Sequence, residues 1–356
     1  MDGSASGARL FRRDPIMRTR QHVPWGASAW GQLGPGSGDA TTPIRVAGAP
    51  AFTQLVAGAF HTCGLTSAGA AYCWGANFLG QVGPGESVAA TPRPIGAASP
   101  FTALAAGSGH SCGLTTERII HCWGSNTVGE LGDGVDRSTP VGSLSRSTPA
   151  PIAGGMSFTA IAASLLATCA IATTGQAYCW GANGGGELGT GSGNCRMVAD
   201  WYYNREDWDW PCSTRPVPID VREPMTSLTA SGYGICGLTT ARALVCWGGG
   251  RHLPPTSIPG FNLSAAWSLG HIVCGLEPTE AVSCWGLWAA TPRTPPPFGD
   301  ALTLVNLSSS GATSCGVSRS QPPIAYCWGQ NDRGQLGDGT REYRNDPVAV
   351  TLPRGR

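Results

Sequence analysis

The tripeptide Cys-Trp-Gly occurs six times in this chain of 356 residues, and each copy has a second cysteine ten or twelve residues upstream. The pairs are Cys63/Cys73, Cys112/Cys122, Cys169/Cys179, Cys236/Cys246, Cys274/Cys284 and Cys315/Cys327. First cysteines of successive units lie 38 to 67 residues apart, which suits the four-stranded blade of a repeat protein. One structural unit has therefore been copied along the chain, and the fold must repeat with it.

Within the first unit, short apolar runs between turn residues predict strands at 52–57, 61–66 and 71–75. The intervening Ser67-Ala68-Gly69 is typical of a three-residue hairpin loop with glycine where a positive φ is needed. Counting outward from this loop places Cys63 opposite Cys73, within the distance that a disulfide can bridge. Each bridge would close a loop of about eleven residues and stabilise the fold by about 3 kcal/mol.

Two other interpretations of the cysteine pairs stay open at this point. Cysteine is a small apolar residue, so a row of buried, reduced thiols would fit the same positions. A zinc site is the second alternative. It would need more ligands than one hairpin pair supplies, and the sequence contains no Cys-x-x-Cys or histidine spacing of the usual kind.

Composition favours many turns and short strands. Glycine accounts for 52 residues and proline for 28, with short apolar runs between them. Charged residues make up 13% of the chain and the formal net charge is +1, which argues against nucleic-acid binding. No apolar run is long enough to predict a transmembrane segment.

The cysteine count also predicts a compartment. The fourteen cysteines form an even set, in which Cys195 and Cys212 add a seventh expected pair. Pairing on this scale is typical of oxidising environments, so we expect an extracytoplasmic, secreted or cell-surface protein. Residues 1–29 contain no apolar stretch like that of a signal peptide. We therefore expect the chain to be a fragment or to have a misassigned start.

A glycine-rich run follows the tryptophan in four of the six units. The four runs are GANFLGQVGPG, GSNTVGELGDG, GANGGGELGTG and GQNDRGQLGDG. Glycine-rich loops can bind phosphate, but that use requires a strand-to-helix setting and commonly a lysine, and this chain has no lysine. We interpret the glycines as a sharp turn between the third and fourth strands of each unit.

The whole pattern, G-x-x-H-[ST]-C-[GA]-L … C-W-G-x-N-x-x-G-[QE]-[LV]-G-x-G … T-P, resembles the repeat of the regulator of chromosome condensation family over residues 30–353. The resemblance implies a seven-bladed β-propeller. Members of the family include an exchange factor for the GTPase Ran, a plant ultraviolet-B receptor and a secreted β-lactamase inhibitor. The cysteine pairs are similar to those of its extracellular and bacterial branches, because the nuclear exchange factor does not need such bridges.

We therefore predict an all-β propeller on a seven-bladed plan, with six complete blades and a half-blade. Residues 1–29 are expected to be disordered or poorly defined, leaving the gap in the ring open or loosely filled. Residues 30–353 are expected to form a single domain. Its half-blade is predicted at 30–46, and its blades near 52–95, 101–152, 158–219, 225–260, 263–298 and 302–353. Units four and five lack the glycine-rich run, which predicts shortened loops there.

Histidine stands two residues before the first cysteine in the first two units only, at His61 and His110. A catalytic role would make a site from two blades alone. We interpret both as buried, hydrogen-bonded strand residues.

An insertion at 190–215 in the third complete blade is rich in aromatic and acidic residues. A disulfide between Cys195 and Cys212 is expected to close it, and large rigid side chains in such a loop favour partner recognition. The alternatives are a loop that folds back over its own blade and a calcium site at Asp207 and Asp209, which lacks the regular spacing of a calcium loop. The candidate partner-binding residues are Trp201, Tyr202, Tyr203, Asp207, Trp208, Asp209 and Trp210.

The sequence contains no nucleophile elbow, metalloprotease helix or paired-carboxylate motif, and its six histidines form no ligand cluster in sequence. We therefore predict a non-enzymatic, monomeric scaffold that binds a protein partner through loops on one face, without cofactor, metal or catalytic residues. Two alternatives come from other classes. One is regulation of a small GTPase by guanine-nucleotide exchange, and the other is a carbohydrate-binding or enzyme-inhibitor propeller.

Overall fold

The computed structural model describes residues 24–36, 38–44, 46, 48–135, 145–190, 211–232, 234–249, 254–258, 262–269, 272–278, 282–286, 304–310, 313–318, 320 and 324–351. Within these ranges the structure contains 23 strands and no helix. The strands form six antiparallel sheets, in which strands consecutive in sequence are neighbours. Each sheet holds one Cys-Trp-Gly unit and is called a blade below.

The first three blades have four strands each. Blade 1 consists of β1 (Phe52–Ala57), β2 (His61–Thr66), β3 (Ala71–Ala76) and β4 (Val88–Ile95). Blade 2 consists of β5 (Phe101–Ala106), β6 (His110–Thr115), β7 (Ile120–Gly124) and β8 (Arg146–Pro151). Blade 3 consists of β9 (Phe158–Ala163), β10 (Ala167–Ala172), β11 (Ala177–Ala182) and β12 (Cys212–Pro218).

The last three blades differ in their outer strands. Blade 4 consists of β13 (Met225–Ser231), β14 (Gly234–Thr239), β15 (Leu244–Gly248) and β16 (Thr256–Ile258). Blade 5 consists of β17 (Ala265–Leu269), β18 (Ile272–Leu276) and β19 (Val282–Gly286). Blade 6 consists of β20 (Leu304–Ser310), β21 (Thr313–Ser318), β22 (Ala325–Gly329) and β23 (Arg344–Ala349). The fourth unit, which lacks the glycine-rich run, thus has a three-residue outer strand.

The six sheets are arranged as a β-propeller. Their first strands pack against each other in chain order: β1 with β5, β5 with β9, β9 with β13, β13 with β17, and β17 with β20. The apolar core lies between neighbouring blades, where Leu65 and Cys73 of blade 1 share one cluster with Phe101 and Trp123 of blade 2. The all-β propeller prediction is therefore confirmed.

The predicted hairpin pairing of the cysteines is observed. Cys63 lies opposite Cys73 on β2 and β3, and their Cα atoms are 4.1 Å apart. The disulfides in the described residues are Cys63–Cys73, Cys112–Cys122, Cys169–Cys179, Cys236–Cys246 and Cys315–Cys327. Cys274 faces Cys284 and is disulfide-bonded. Cys212 is also disulfide-bonded, but its predicted partner Cys195 lies outside the described residues.

A repeated hydrogen-bond pattern joins each of blades 2, 3 and 4 to the blade before it. The peptide oxygen of Gln81, in the glycine-rich loop of blade 1, accepts the indole N–H of Trp123 in blade 2 at 3.0 Å. The same oxygen accepts the hydroxyl of Ser111 at 3.1 Å. We call this indole–carbonyl bond the interblade latch. The other latches between blades run from Trp180 to Glu130 (2.9 Å) and from Trp247 to Glu187 (3.0 Å).

The glycine-rich loop also packs tightly on the outer strand of the next blade. Gly80 has a φ of +78°, and a Cβ at this position would lie 2.8 Å from the Cα of Ser147 in β8. A larger residue would push these two blades apart. The glycine therefore serves a close backbone approach as well as the predicted turn.

Residues 24–46 form the outer part of a further unit. Gly26 pairs with Ala40 in an isolated antiparallel bridge. The same relation holds in blade 1, where Gly75 at the end of β3 pairs with Ala89 in β4. The segment thus supplies counterparts of the third and fourth strands.

This segment is latched on both sides. Trp25 is 2% exposed, and its indole donates to the peptide oxygen of Gln335 in blade 6 at 2.9 Å, across 310 residues of sequence. On the other side, the peptide oxygen of Gln32 accepts the indole of Trp74 in blade 1 at 2.8 Å. The N-terminal segment therefore bridges the first and the last complete blades.

The predicted boundary at residue 30 is wrong, because residues 24–29 belong to this segment and Trp25 is part of its core. Proline stands at position 24 where the other units have cysteine, so a search for Cys-Trp-Gly does not find Trp25 and Gly26. Residues 1–23 lie outside the described residues, as does the predicted fourth strand of blade 5.

Candidate binding face

The blades present two different ends. In blade 1 the turn at 58–60 and the loop at 77–87 lie together, because β2 begins beside the end of β3. The hairpin at 67–70 lies at the opposite end. The end that carries the β1–β2 turn and the long β3–β4 loop, in every blade, is called the loop face here. The other end is called the hairpin face.

Exposed large apolar side chains are concentrated on the loop face. Among the described residues five are exposed, and four of them lie in loops of the β3–β4 type: Trp30, Phe78, Val135 and Tyr343. The fifth, Ile324, precedes β22 on the hairpin face. The exposed large apolar side chains of the described residues are therefore distributed unevenly between the two faces.

Two of these residues form an aromatic pair. The rings of Trp30 and Phe78 are edge to face with centroids 4.9 Å apart, although the residues are 38% and 54% exposed. Side chains inside the two loops hold the backbone in place. The amide of Trp30 donates to Gln32 Oε1 at 2.8 Å, and the amide of Leu79 donates to Gln81 Oε1 at 2.9 Å. The pair is therefore presented on preorganised loops.

Charged residues lie in the same sector of the loop face. Arg333, in the glycine-rich loop of blade 6, contacts Asp39 with 3.1 Å between Nη1 and Oδ2. The carboxylate of Asp39 also accepts the amide of Ser28 at 2.9 Å. Arg333 is half exposed, and its Nε also lies 3.9 Å from Oδ2 of Asp332. An apolar centre with a polar rim is the usual arrangement of a binding interface.

The insertion of blade 3 emerges on the loop face as well. It connects the end of β11 to the start of β12, and the amide of Asn183 donates to the peptide oxygen of Pro211 at 2.8 Å. The predicted binding residues Trp201, Tyr202, Tyr203, Asp207, Trp208, Asp209 and Trp210 lie outside the described residues. The described ends of the insertion lie on the loop face, and the roles of the seven side chains stay a prediction.

The two strand histidines are sealed in the core. His61 Nε2 is 2.8 Å from Ser111 Oγ, and His110 Nε2 is 3.0 Å from Thr168 Oγ1. The single hydroxyl proton of Ser111 points to the peptide oxygen of Gln81, so the imidazole donates through Nε2–H. Burial lowers the pKa of His61 to about 3, helped by the charge of His110, and burial lowers that of His110 to about 4.

This His–Ser contact is not arranged for nucleophilic catalysis. His61 and Ser111 are buried, with no surface open to a substrate, and Nδ1 of the histidine has no orienting partner. A catalytic base needs both access and an orienting group. The contact links blades 1 and 2.

Sequence reasoning missed two buried carboxyl groups. Glu130 and Glu187 occupy the position that is Gln32, Gln81 or Gln335 in the other glycine-rich runs. Both are fully buried. Burial raises the pKa of Glu130, and it raises the pKa of Glu187 to about 6. The alternation of Gln and Glu inside the repeat was the signal that could have identified them.

Within the described ranges, no group of three or more histidine, cysteine, aspartate or glutamate side chains is placed to hold a metal ion. In that part of the chain there is likewise no helix long and apolar enough to cross a membrane.

The disulfide-bonded hairpins, interblade latches and one-sided loops define a repeat β-propeller. Family models described as the regulator of chromosome condensation (RCC1) repeat match residues 52–81 and 101–130, and residues 68–114 and 325–356. These segments of the chain are therefore similar to repeats of that family. A search of curated proteins found no match.

Three solved structures share the fold. Human WBSCR16 has a TM-score of 0.76 at 17% identity, covering 92% of this chain and 93% of that one. Prp20p from Saccharomyces cerevisiae has a TM-score of 0.73 at 16% identity, covering 93% and 88%. Yeast RCC1 (Prp20) bound to Kap60 has a TM-score of 0.71 at 17% identity, covering 92% and 82%. At these identities the similarity concerns the fold alone.

Proposed function

We propose that this chain is a non-enzymatic scaffold that binds a protein partner through its loop face. The observation that carries the proposal is the one-sided exposure of large apolar side chains, centred on the Trp30–Phe78 pair. Aromatic side chains supply much contact area with little entropy to lose, and they dominate binding energy in protein interfaces. His61 and Ser111 are buried and out of reach of a substrate, which supports a non-enzymatic role.

The similar structures support protein binding as the activity. Prp20 was solved with Kap60 bound, and Prp20p was characterised for its binding to Gsp1p and histones. Prp20 is thus a protein-binding propeller of this fold. Because the identities are low, they do not select a partner for this chain.

We infer a seven-bladed plan in which residues 24–46 occupy the seventh position. Two observations support this inference. Trp25 makes the latch to Gln335 of blade 6, and Gln32 receives the latch from Trp74 of blade 1. These bonds repeat those between consecutive complete blades.

We also propose that the protein works outside the cytoplasm. Each disulfide links two strands of a buried hairpin. Disulfides repeated in this way persist in compartments that lack a reducing thiol pool. In protein isolated without reductant, peptide mapping is expected to show Cys63 linked to Cys73, and the same pairing in the other blades. Free thiols at most of these positions would contradict the proposal and favour a regulator of a cytosolic or nuclear GTPase.

Replacing Phe78 by a photo-crosslinking phenylalanine is expected to yield a covalent adduct with a protein from the natural extracellular or periplasmic fraction. Excess wild-type protein should abolish the adduct. The double variant Trp30→Ala/Phe78→Ala should compete at least about tenfold less well, since it loses the central aromatic contacts.

Ile324 provides the matched control, because it is exposed on the hairpin face. A crosslinker at position 324 should give no adduct, and Ile324→Ala should compete like the wild type. Equal adducts from both faces, or full competition by the double variant, would overturn the proposed binding face.

A further inference from the structure

The Gln or Glu side chain of each glycine-rich loop makes the same hydrogen bond within its loop. Its terminal oxygen accepts the amide two residues earlier, which closes the tip of the loop. The bonds run from Trp30 to Gln32, Leu79 to Gln81, Val128 to Glu130, Gly185 to Glu187 and Arg333 to Gln335. A glutamine does this while uncharged, whereas a glutamate must either carry a buried charge or hold a proton.

Blade 2 supplies extra donors for its buried carboxylate. Oε1 of Glu130 accepts the hydroxyl of Ser125 at 2.9 Å and that of Thr127 at 3.2 Å. Oε2 accepts the amide of Val128 at 2.8 Å. Both oxygens therefore have donors, and hydrogen bonds of this kind stabilise the charged form.

Blade 3 lacks those donors. The positions of the two hydroxyl residues are taken by Ala182 and Gly184. Oε2 of Glu187 accepts the amide of Gly185 at 2.8 Å, but Oε1 is buried without a hydrogen-bond partner. A buried charge with one unpaired oxygen carries a desolvation cost that the neutral carboxyl group avoids.

Glu187 also sits at the junction of two blades. Its peptide oxygen accepts the latch from Trp247 of blade 4 at 3.0 Å. A Cβ on Gly189, two residues later, would contact Trp247, Ile219 and Pro255. The side chains nearest to Gly189, which come from β15, from the end of blade 3 and from the residue before β16, are thus apolar. No charged group of the described residues contributes to the titration of Glu187.

We propose that the Glu187 carboxyl is a pH-sensitive switch: its ionisation loosens the loop at 183–190 and the latch between blades 3 and 4. When the carboxyl is protonated, the loop is closed without a buried charge. When it is ionised, opening the loop gives the unpaired oxygen access to water. The loop at 126–133 of blade 2 has the same backbone pattern and responds less, because the hydroxyls of Ser125 and Thr127 offset part of the burial that raises the pKa of Glu130.

The direction of the pH response follows from the burial of Glu187. Burial raises the pKa of Glu187 from 4.5 to about 6. A raised carboxyl pKa means that the closed loop is fully stabilised below the ordinary pKa and loses stability as the pH rises through the folded value. The loosening is therefore expected between about pH 4.5 and pH 7.

Hydrogen exchange with mass spectrometry tests the switch in the intact chain. After correction for intrinsic exchange, protection of residues 183–190 is expected to fall about tenfold between about pH 5 and pH 7.5, more than that of residues 126–133. Glu187→Gln should abolish this difference, since glutamine closes the same loop in three other units. Equal responses of the two loops in the wild type, or an unchanged response in Glu187→Gln, would overturn the proposal.

Exchanging the donors gives a second, reciprocal test. Ala182→Ser with Gly184→Thr should protect loop 183–190 at neutral pH while keeping the glutamate, and Gly184 does not occupy the left-handed region that would exclude threonine. Ser125→Ala with Thr127→Gly should transfer the pH response to loop 126–133. If the response stays with blade 3 in both exchanges, hydroxyl donors are not its cause and the proposal fails.

Discussion

Trp25→Ala is expected to lower the free energy of unfolding by about 3–5 kcal/mol, the usual loss for a buried tryptophan. The side chain is nearly inaccessible, packs with Leu336 and Val350 of blade 6, and makes the latch to Gln335. Its loss removes the contact that holds the N-terminal segment to the last blade. Denaturant unfolding measures the loss, and hydrogen exchange should show reduced protection at 24–34 and 334–337.

Trp30→Ala is the matched control for this prediction. It removes the same type of side chain five residues away, from a position that is 38% exposed. It should cost much less stability and leave protection at 334–337 unchanged. If both variants lose the same stability, Trp25 does not close the ring, and the seventh-position inference fails with it.

Acidification from about pH 7 to pH 5 is expected to remove about 4 kcal/mol of stability through His61 and His110 together. Burial lowers the pKa values of these histidines to about 3 and about 4, so they stay neutral in the folded state. The unfolded chain binds their protons below about pH 6.5, which favours unfolding as the pH falls. Nδ1 of each ring is buried without an acceptor, which is why the charged form is so unfavourable.

The double variant His61→Gln/His110→Gln should lose most of this pH dependence, measured as the change in denaturant midpoint between the two pH values. Each single variant should lose about half. His121→Gln is the comparison, because His121 is only half-buried on β7. Burial lowers the pKa of His121 as well, so this variant should reduce the slope, but by less than either buried histidine. A double variant with the wild-type slope would assign the acid sensitivity to other groups.

Several features of the fold were predictable from the sequence because they depend on residues close together in the chain. The strands at 52–57 and 61–66 match β1 and β2, and the count across the hairpin loop placed Cys63 opposite Cys73. A hairpin has one register for a given loop, so ten residues of sequence contain the necessary information. The repeat then extended this result to the other blades.

Contacts across the ring could not be predicted in this way. The tripeptide search missed Trp25, whose role depends on a bond to Gln335 across 310 residues. The Trp30–Phe78 pair likewise forms only because the N-terminal segment lies beside blade 1. Residues this far apart in sequence come into contact because the ring closes, and the local sequence pattern does not specify such contacts.

The amino-acid sequence by itself determined the repeating unit, its strands, its hairpin disulfides and its glycine turns, because each depends on short-range spacing and on the backbone preferences of individual residues. Only the tertiary structure decided which side chains are sealed and which face solvent. It buries Glu187 with one oxygen unpaired and leaves Phe78 exposed. Burial and charge environment depend on neighbouring blades, and those neighbours are set by packing between units.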